Sequence, residues 1–159
     1  MEIRLAENSD LSGWLQLVEP MRHLFPGLET PESMEGYARD IAGAISRQEA
    51  LCAVENGTIC GVLAFSRAEN ELAFLAVSAQ HRRQGIARKL ADRMFRELDP
   101  ARPVKLITYR AGVPEGEAAR SLYQRLGFCP GRLVEVDGSP AQEFLRPAEI
   151  PGSERSEAE

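Results

Sequence analysis

Apolar and polar residues follow two different periods along this chain, and the changes of period mark its elements. Continuous or alternating apolar runs predict seven strands, at residues 3–5, 51–55, 58–65, 71–77, 104–109, 128–136 and 142–145. Helical spacing of apolar residues predicts four helices, over Trp14–Met21, Met34–Ile45, Ile86–Leu98 and Ala119–Leu126. Asn56-Gly57 is a strong hairpin signal, and Ser9 or Asp10 can cap the first helix. The chain therefore alternates strands and helices.

The order of these elements indicates how the sheet is built. A hairpin comes first, and a strand–helix–strand crossover follows it between residues 71 and 109. This order predicts an α/β fold with a mixed, twisted central sheet and helices on both faces. Residues 1–148 form one domain in this interpretation. The acidic residues 149–159 are polar and lack aromatics, which predicts a disordered C-terminal tail.

Composition limits the class of protein. A content of 43% hydrophobic and 27% charged residues is typical of a globular protein. No apolar run approaches the roughly 20 residues of a membrane span, and the first residues do not resemble a signal peptide. We therefore expect a cytoplasmic protein with no membrane partner. Cys52, Cys60 and Cys129 lack CxxC spacing and predict buried free thiols, while two distant histidines predict no metal site.

A basic loop stands where the fourth predicted strand should become the third helix. It consists of Arg82, Arg83, Gln84, Gly85, Ile86, Ala87 and Arg88. The first turn of a helix attracts anions through its unpaired N–H groups, and Gly85 lets the main chain approach a ligand closely. Guanidinium groups suit phosphate oxygens. The loop therefore predicts a phosphate site, and the alternative is an ordinary corner with solvated arginines.

Charge supports one local anionic ligand. The net charge of −5 argues against nucleic acid as a partner. Against this background, residues 81–96 hold six of the 19 lysines and arginines. For three of the six, the solvated face of the helix is the favoured explanation: Lys89, Arg93 and Arg96.

A second motif lies in the last predicted helix. Ala119, Leu122, Tyr123 and Leu126 share one helical face, and Gly127 is suited to end the helix before Phe128 starts a strand. The basic loop and this helix together resemble two motifs of the GNAT superfamily of acetyl-CoA-dependent N-acetyltransferases. The matching patterns are Arg82-x-x-Gly85-x-Ala87 and Ala119-x-x-Leu122-Tyr123-x-x-x-Gly127-Phe128. The resemblance extends from about Leu51 to Phe144.

The resemblance implies a fold and a cofactor site. In that superfamily the sheet is mostly antiparallel, and two central strands splay apart in a V around the cofactor. The implied ligand is acetyl-CoA as acetyl donor, with no metal. The residues expected to bind it are the loop residues Arg82, Arg83, Gln84, Gly85, Ile86, Ala87 and Arg88, together with Ala119 and the main chain of Leu75, Ala76 and Val77.

The resemblance also implies two catalytic residues. Tyr123 matches the tyrosine that returns a proton to the departing thiolate, although it could be a core tyrosine with a satisfied hydroxyl. Glu71 stands where histone-type members carry a general base, although it also fits a polar turn, and water could take the proton instead. Gly116 departs from the family, because many members have an asparagine there that helps to hold the cofactor.

The implied reaction is transfer of an acetyl group to a primary amine of a small molecule or peptide, by direct attack in a ternary complex. The resemblance places the acceptor at the first two helices and their connection, Trp14 to Tyr37, and at the loop after Tyr109; the stretch from Trp14 to Tyr37 is apolar with acidic edges. The same stretch fits ordinary helix packing or a homodimer interface. A non-catalytic acyl-CoA-binding sensor or partner subunit is the alternative function. A nucleotide-binding domain fits less well, because the chain has no G-x-x-x-x-G-K-[ST] motif.

Overall fold

The computed structural model describes residues 1–149, and every predicted strand and helix is present there. The elements are β1 (Glu2–Leu5), α1 (Leu11–Val18), α2 (Pro31–Ser46), β2 (Ala50–Glu55), β3 (Thr58–Ser66), β4 (Glu71–Val77), α3 (Ile86–Glu97), β5 (Val104–Thr108), α4 (Glu117–Arg125), β6 (Cys129–Val136) and β7 (Ser139–Arg146). The predicted disordered tail lies outside the described residues, except for Glu149.

The sheet has the strand order β1-β2-β3-β4-β5-β7-β6. The pairings β1–β2, β2–β3, β5–β7 and β6–β7 are antiparallel. The pairing of β4 with β5 is parallel, with Glu71 opposite Lys105. The sheet is therefore mixed and mostly antiparallel, as the order of elements predicts.

The chain divides into two compact units. The first unit comprises Met1–Phe65 and Ala73–Met94, and the second comprises Ser66–Leu72 and the chain from Phe95 onward. The predicted hairpin lies in the first unit, where Asn56 and Gly57 both adopt positive φ, at 52° and 77°. The turn is therefore of the type that Asn-Gly favours.

The core of the first unit forms where α1 and α2 pack on the strands. Trp14 and Val18 are fully buried in it, and the indole N–H of Trp14 donates to the Tyr37 hydroxyl at 2.8 Å. Two local predictions are wrong. The first helix does not reach Met21 as predicted. It ends at Val18, and Met21 lies in the 3-10 helix that follows, because Pro20 has no N–H to continue the α-helical hydrogen bonds. No side chain caps α1, because the Asp10 carboxylate binds the Arg4 guanidinium at 2.7 and 3.0 Å and the Glu7 N–H.

The core of the second unit is aromatic. Phe128 and Phe144 are almost completely buried, and the Tyr123 ring contacts both of them edge-on, at centroid distances of 6.2 and 6.4 Å. Phe95 lies 6.2 Å from Phe128 and carries the Arg146 guanidinium on its face. This packing places Tyr123 on the inner side of α4.

One of the predicted buried thiols is exposed. Cys52 and Cys60 are buried, whereas Cys129 is exposed, and all three are free. Cys129 begins β6, the outermost strand in the sheet order, which has a neighbouring strand on one side only. The apolar run that predicted burial is therefore an edge strand.

Candidate functional site

The basic loop has an unusual backbone. It follows a short 3-10 turn, Ala79–His81, in which the Ser78 hydroxyl accepts from the N–H of Gln80. Arg83 and Gly85 then adopt left-handed conformations, with φ of 65° and 76°. Such conformations are costly for arginine but open to glycine. Left-handed residues in a short loop are typical of the backbone turns that bind anions through main-chain N–H groups.

Helix α3 is fixed to the sheet directly behind this loop. Its first residue, Ile86, is 2% exposed and Leu90 is fully buried. Both lie against Gly61 of β3, where an added Cβ would stand 2.8 Å from Ile86 and 3.1 Å from Leu90. The missing side chain at Gly61 lets the first turn of α3 sit close to β3, which fixes the position of the loop.

The donor set of the loop fits a pyrophosphate. A Cβ on Gly85 would meet no protein atom within 4 Å, so the space in front of the main chain is open to a ligand. The N–H groups of the first helical turn have no partner within the helix, whose first bond runs from Lys89 to the carbonyl of Gly85 at 3.0 Å. The side chains of Arg82, Arg83 and Arg88 are exposed around this space. Lys89 and Arg96 are also exposed and Arg93 is half-buried, as expected of a solvated helix face.

The residues expected to pair with the pantetheine arm lie on β4. The side chains of Leu75 and Ala76 are buried and that of Val77 is half-buried. Within the first unit β4 is bonded to β3 on one side only, and the strand order of that unit ends with β4. Its second edge therefore has no partner strand in that unit.

Tyr123 lies in the second unit, on α4. Its side chain is half-buried, and burial raises the pKa of the phenol to about 12. Its ring contacts the edges of Phe128 and Phe144, but no hydrogen bond to its hydroxyl is found within residues 1–149. The ring therefore packs as a core tyrosine would, and the catalytic role of the hydroxyl stays a prediction.

The end of α4 has the predicted form. Gly127 has a φ of 98° and donates its N–H to the Gln124 carbonyl at 3.0 Å, while the Phe128 N–H donates to the Tyr123 carbonyl at 3.0 Å. These bonds close the helix in the manner typical of a glycine terminus. Ala119, the remaining predicted cofactor residue on this helix, is half-buried.

Glu71 stands at the start of β4, in a cluster of charges in the second unit. Burial raises the pKa of its carboxyl group; the Lys105 ammonium lowers that pKa, and the carboxylates of Glu69 and Glu143 raise it. Lys105 lies opposite Glu71 in the parallel pairing, and its Nζ binds the Glu69 carboxylate at 3.0 Å. A carboxyl group with a raised pKa is a better general base near neutral pH than an ordinary one.

The structure gives a physical reason for Gly116. Gly116 is buried, and a Cβ added to it would lie 2.3 Å from Cβ and Cγ of Tyr109. Real atoms do not approach so closely, so the Tyr109 ring excludes any side chain at this position. An asparagine, as many relatives of the predicted family carry, would require Tyr109 to move.

The stretch between α1 and α2 packs mainly on the core of the first unit. Met21 and Leu28 are buried, and Phe25 contacts Phe74 with 4.5 Å between ring centroids. Tyr37 also contacts Phe74, with 5.1 Å between ring centroids, and burial raises the pKa of its phenol above the usual range. Helix packing therefore accounts for much of the apolar character of this stretch.

The predicted site residues fall into two groups. The loop and the β4 residues Leu75–Val77 belong to the first unit, and Glu71, Ala119 and Tyr123 belong to the second. Within residues 1–149, neither a hydrogen bond nor a ring contact joins Glu71 to Tyr123. Sequence reasoning missed Lys105 beside Glu71 and Tyr109 beside Gly116, because neither neighbour is signalled by a local pattern.

The two motifs lie within one conserved type of domain. A family model described as an acetyltransferase (GNAT) domain matches residues 46–130, which is more than half of the chain. The chain belongs to the GNAT acetyltransferase family. The match includes Glu71, the basic loop and Tyr123. Membership of this family implies acyltransferase activity. A comparison with curated proteins found no match to the sequence.

Solved GNAT structures share the fold at low identity. An N-acetyltransferase from Staphylococcus aureus Mu50 is 16% identical, with a TM-score of 0.72 over 91% of this chain and 100% of its own. PaiA N-acetyltransferase from Thermoplasma acidophilum in complex with coenzyme A is 19% identical, with a TM-score of 0.67 over 92% and 98%. The ribosomal-protein-S18-alanine N-acetyltransferase from Escherichia coli is 20% identical, with a TM-score of 0.65 over 94% of each chain. The predicted GNAT fold class is confirmed.

No helix within residues 1–149 has the length and apolar character needed to cross a membrane. In the same residues, no three His, Cys, Asp or Glu side chains come together in an arrangement that could hold a metal ion.

Proposed function

We propose that this GNAT protein transfers the acetyl group of acetyl-CoA to a primary amine. The observation that carries the proposal is the loop from Arg82 to Arg88, whose left-handed turns and open space at Gly85 suit a pyrophosphate. The loop lies inside the matched family domain. A relative of similar fold is described in complex with coenzyme A, which supports this ligand class.

The loop and β4 are the proposed binding site of the acetyl donor. Exposed guanidinium groups and first-turn N–H groups would hold the pyrophosphate oxygens. One edge of β4 near Leu75, Ala76 and Val77 has no partner strand in the first unit. We propose that the main chain at this edge exchanges hydrogen bonds with the pantetheine amides, as it would with an added strand. Ala119 of α4 is the remaining residue that we propose for binding of acetyl-CoA.

Tyr123 is the proposed proton donor. In acetyl transfer the amine nitrogen forms a bond to the thioester carbonyl carbon, the carbon–sulfur bond breaks, and the leaving thiolate takes a proton. A phenol with a pKa of about 12 stays protonated at neutral pH, so its proton is available to the thiolate. Its hydroxyl has no hydrogen-bond partner among the described residues, which leaves it free to donate.

Glu71 is the proposed base that removes a proton from the acceptor amine, directly or through water. An amine with a pKa near 10 is almost fully protonated at neutral pH and cannot attack until it loses a proton. The acceptor is proposed to be a small-molecule or peptide amine. The relative that acetylates an alanine of a ribosomal protein has the same fold, which supports the peptide class.

Replacing Gly85 by alanine is expected to weaken acetyl-CoA binding by about ten-fold, because a left-handed alanine costs about 1–2 kcal/mol and its methyl group enters the ligand space. The measurement is isothermal titration of each protein with acetyl-CoA. Gly57→Ala is the matched control, since Gly57 has nearly the same φ, 77°, and equally open space, but lies in the β2–β3 turn. Equal affinities in the two variants would remove the loop from the binding site.

Replacing Glu71 by glutamine is expected to lower kcat/KM at neutral pH by about 100-fold and to remove the acid limb of the pH–rate profile. The carboxylate is active only when deprotonated, so wild-type activity falls as the pH drops through a pKa raised above 4.5. Lys105→Met should move this limb to higher pH, because the ammonium lowers the pKa of Glu71. An unchanged acid limb in Glu71→Gln would exclude Glu71 as the base.

The proposed function is tested by release of free coenzyme A from acetyl-CoA in the presence of amines, polyamines, aminoglycosides and peptides. Release that depends on one acceptor class, with an acetylated product detected by mass spectrometry, would establish the reaction and assign the acceptor. If acetyl-CoA itself does not bind, the proposal is wrong.

A further inference from the structure

The N-terminus of α4 is held by an aromatic ring rather than by a capping side chain. No side chain caps the helix, and Gly116 at its start is buried. The Tyr109 ring lies against the face of Gly116 so closely that an added Cβ would stand 2.3 Å from Cγ and 2.5 Å from Cδ2. The ring and the glycine backbone therefore fit together as a pair, and neither can change size alone.

A second contact ties the next turn of α4 to the same strand end. Arg120 donates from one guanidinium nitrogen to the Tyr109 carbonyl at 2.8 Å and to the side-chain oxygen of Gln142 at 2.7 Å. Gln142 lies on β7 opposite Thr108 of β5, and its amide donates to the carbonyl of Gly131 at 2.8 Å. The first two turns of α4 are thus attached to the end of β5 and to β7.

The ring of Phe144 contacts both Arg120 of this attachment and the proposed proton donor, Tyr123. The Arg120 guanidinium lies 4.9 Å from the centroid of Phe144, and the Tyr123 ring meets the edge of the same phenylalanine at 6.4 Å. Arg120 and Tyr123 are three residues apart and therefore share a side of α4. A displacement at Gly116 would move both residues along or around the helix axis.

We propose that Tyr109 is a positioning residue for Tyr123. Its ring, seated on Gly116, sets the position of the first turn of α4 and thereby the position of the Tyr123 phenol. The inference rests on the proposed function, since the catalytic consequence requires Tyr123 to be the proton donor. It also explains Gly116: the glycine is the partner that this ring requires.

The contact with Gly116 involves Cβ of Tyr109 and its ring carbons Cγ and Cδ2, all of which phenylalanine keeps. Tyr109→Phe is expected to keep kcat and KM for acetyl-CoA within about two-fold of wild type. Tyr109→Ala and Gly116→Ala are each expected to lower kcat by about ten-fold or more while KM for acetyl-CoA stays nearly unchanged, because small misplacements of a catalytic group are costly. Gly116 has a φ of −99°, so alanine is strained there by the contact with the Tyr109 side chain and not by its backbone conformation.

If the contact between Tyr109 and Gly116 sets the position of α4, a second substitution at this contact should restore part of the lost kcat. A general loss of packing would not be restored in this way. Tyr109→Gly removes Cβ as well as the ring and thereby makes room for the methyl group, so Tyr109→Gly combined with Gly116→Ala should be less impaired than the product of the two single effects. The position of Tyr123 is read independently of activity by ¹⁹F NMR of protein labelled with 3-fluorotyrosine, in which the three tyrosines give three resonances. The Tyr123 resonance is assigned from Tyr123→Phe.

Each outcome decides a separate claim. A Tyr123 resonance that shifts in Tyr109→Ala and Gly116→Ala but not in Tyr109→Phe, together with lower kcat, supports the inference. A shifted resonance with wild-type kcat supports the positioning and contradicts the catalytic role of Tyr123. An unshifted resonance in both alanine variants overturns the inference. If Tyr109→Ala does not fold, Gly116→Ala and Tyr109→Leu give the same readings.

Discussion

Replacing Tyr123 by phenylalanine is expected to lower kcat by about 100-fold or more, with nearly unchanged affinity for acetyl-CoA. The variant keeps the ring that packs on Phe128 and Phe144 and loses only the hydroxyl. Since that hydroxyl has no hydrogen-bond partner within residues 1–149, its removal leaves no partner group unsatisfied. Stability should therefore change little, and the lost rate should reflect the lost proton donor.

Tyr37→Phe is the matched control for this experiment. Tyr37 is also a phenol whose pKa burial raises, but its hydroxyl accepts from the Trp14 indole. Its replacement is expected to lower the free energy of unfolding by about 1 kcal/mol and to leave kcat nearly unchanged. Steady-state kinetics and titration with acetyl-CoA on both variants make the comparison. Wild-type kcat in Tyr123→Phe would remove Tyr123 from the mechanism.

Replacing Asn70 by alanine is expected to lower the free energy of unfolding by about 3 kcal/mol or more. Asn70 is fully buried just before β4, and its amide nitrogen lies 3.1–3.3 Å from the carbonyl oxygens of Asp99, Arg102 and Pro103. Its side-chain oxygen accepts from the Asp99 N–H at 2.9 Å. Alanine would remove all of these hydrogen bonds and leave a gap at a fully buried position, and urea unfolding measures the loss.

Asn56→Ala separates hydrogen bonding from backbone conformation. Asn56 and Asn70 have nearly the same φ, 52° and 51°, but Asn56 is exposed in the hairpin turn. The control should cost about 1 kcal/mol, because only the left-handed preference is lost. If Asn70→Ala were no more destabilising than Asn56→Ala, the buried bonds of Asn70 would not stabilise the fold.

The fold could be predicted from the sequence because its signals are local. Strand β4 runs from Glu71 to Val77 as its alternating pattern predicts, and Gly127 ends α4 with a positive φ. The basic loop could also be predicted from local signals, because a glycine between an apolar strand and an amphipathic helix indicates an exposed turn. Such features depend on residues a few positions apart.

The remainder depends on neighbours that are distant in sequence. Lys105 lies beside Glu71 only because β4 and β5 pair in parallel with this register, and the 33 intervening positions carry no pattern that predicts the register. Asn70 lies in the turn before β4, and no local pattern shows that its side chain is buried against the α3–β5 connection. Cys129 looked buried because a single apolar run does not show whether its strand is central or at the edge.

Gly116 shows the same limit within the site. As a departure from the family motif it suggested a lost cofactor contact, and the structure instead shows a tyrosine ring occupying the space. The ring comes from Tyr109, seven residues earlier, across a loop whose course the sequence pattern does not specify. The absence of the family asparagine at position 116 could therefore be explained only when the position of the Tyr109 side chain was known.

The most direct test of the account is coenzyme A release measured with wild type, Gly85→Ala and Tyr123→Phe against the same panel of amines. The account predicts that one amine class raises release in wild type, that Gly85→Ala weakens acetyl-CoA binding, and that Tyr123→Phe binds acetyl-CoA but turns over slowly. Binding of acetyl-CoA without release by any amine would favour a non-catalytic acyl-CoA-binding module. Failure of the wild-type protein to bind acetyl-CoA would contradict the account.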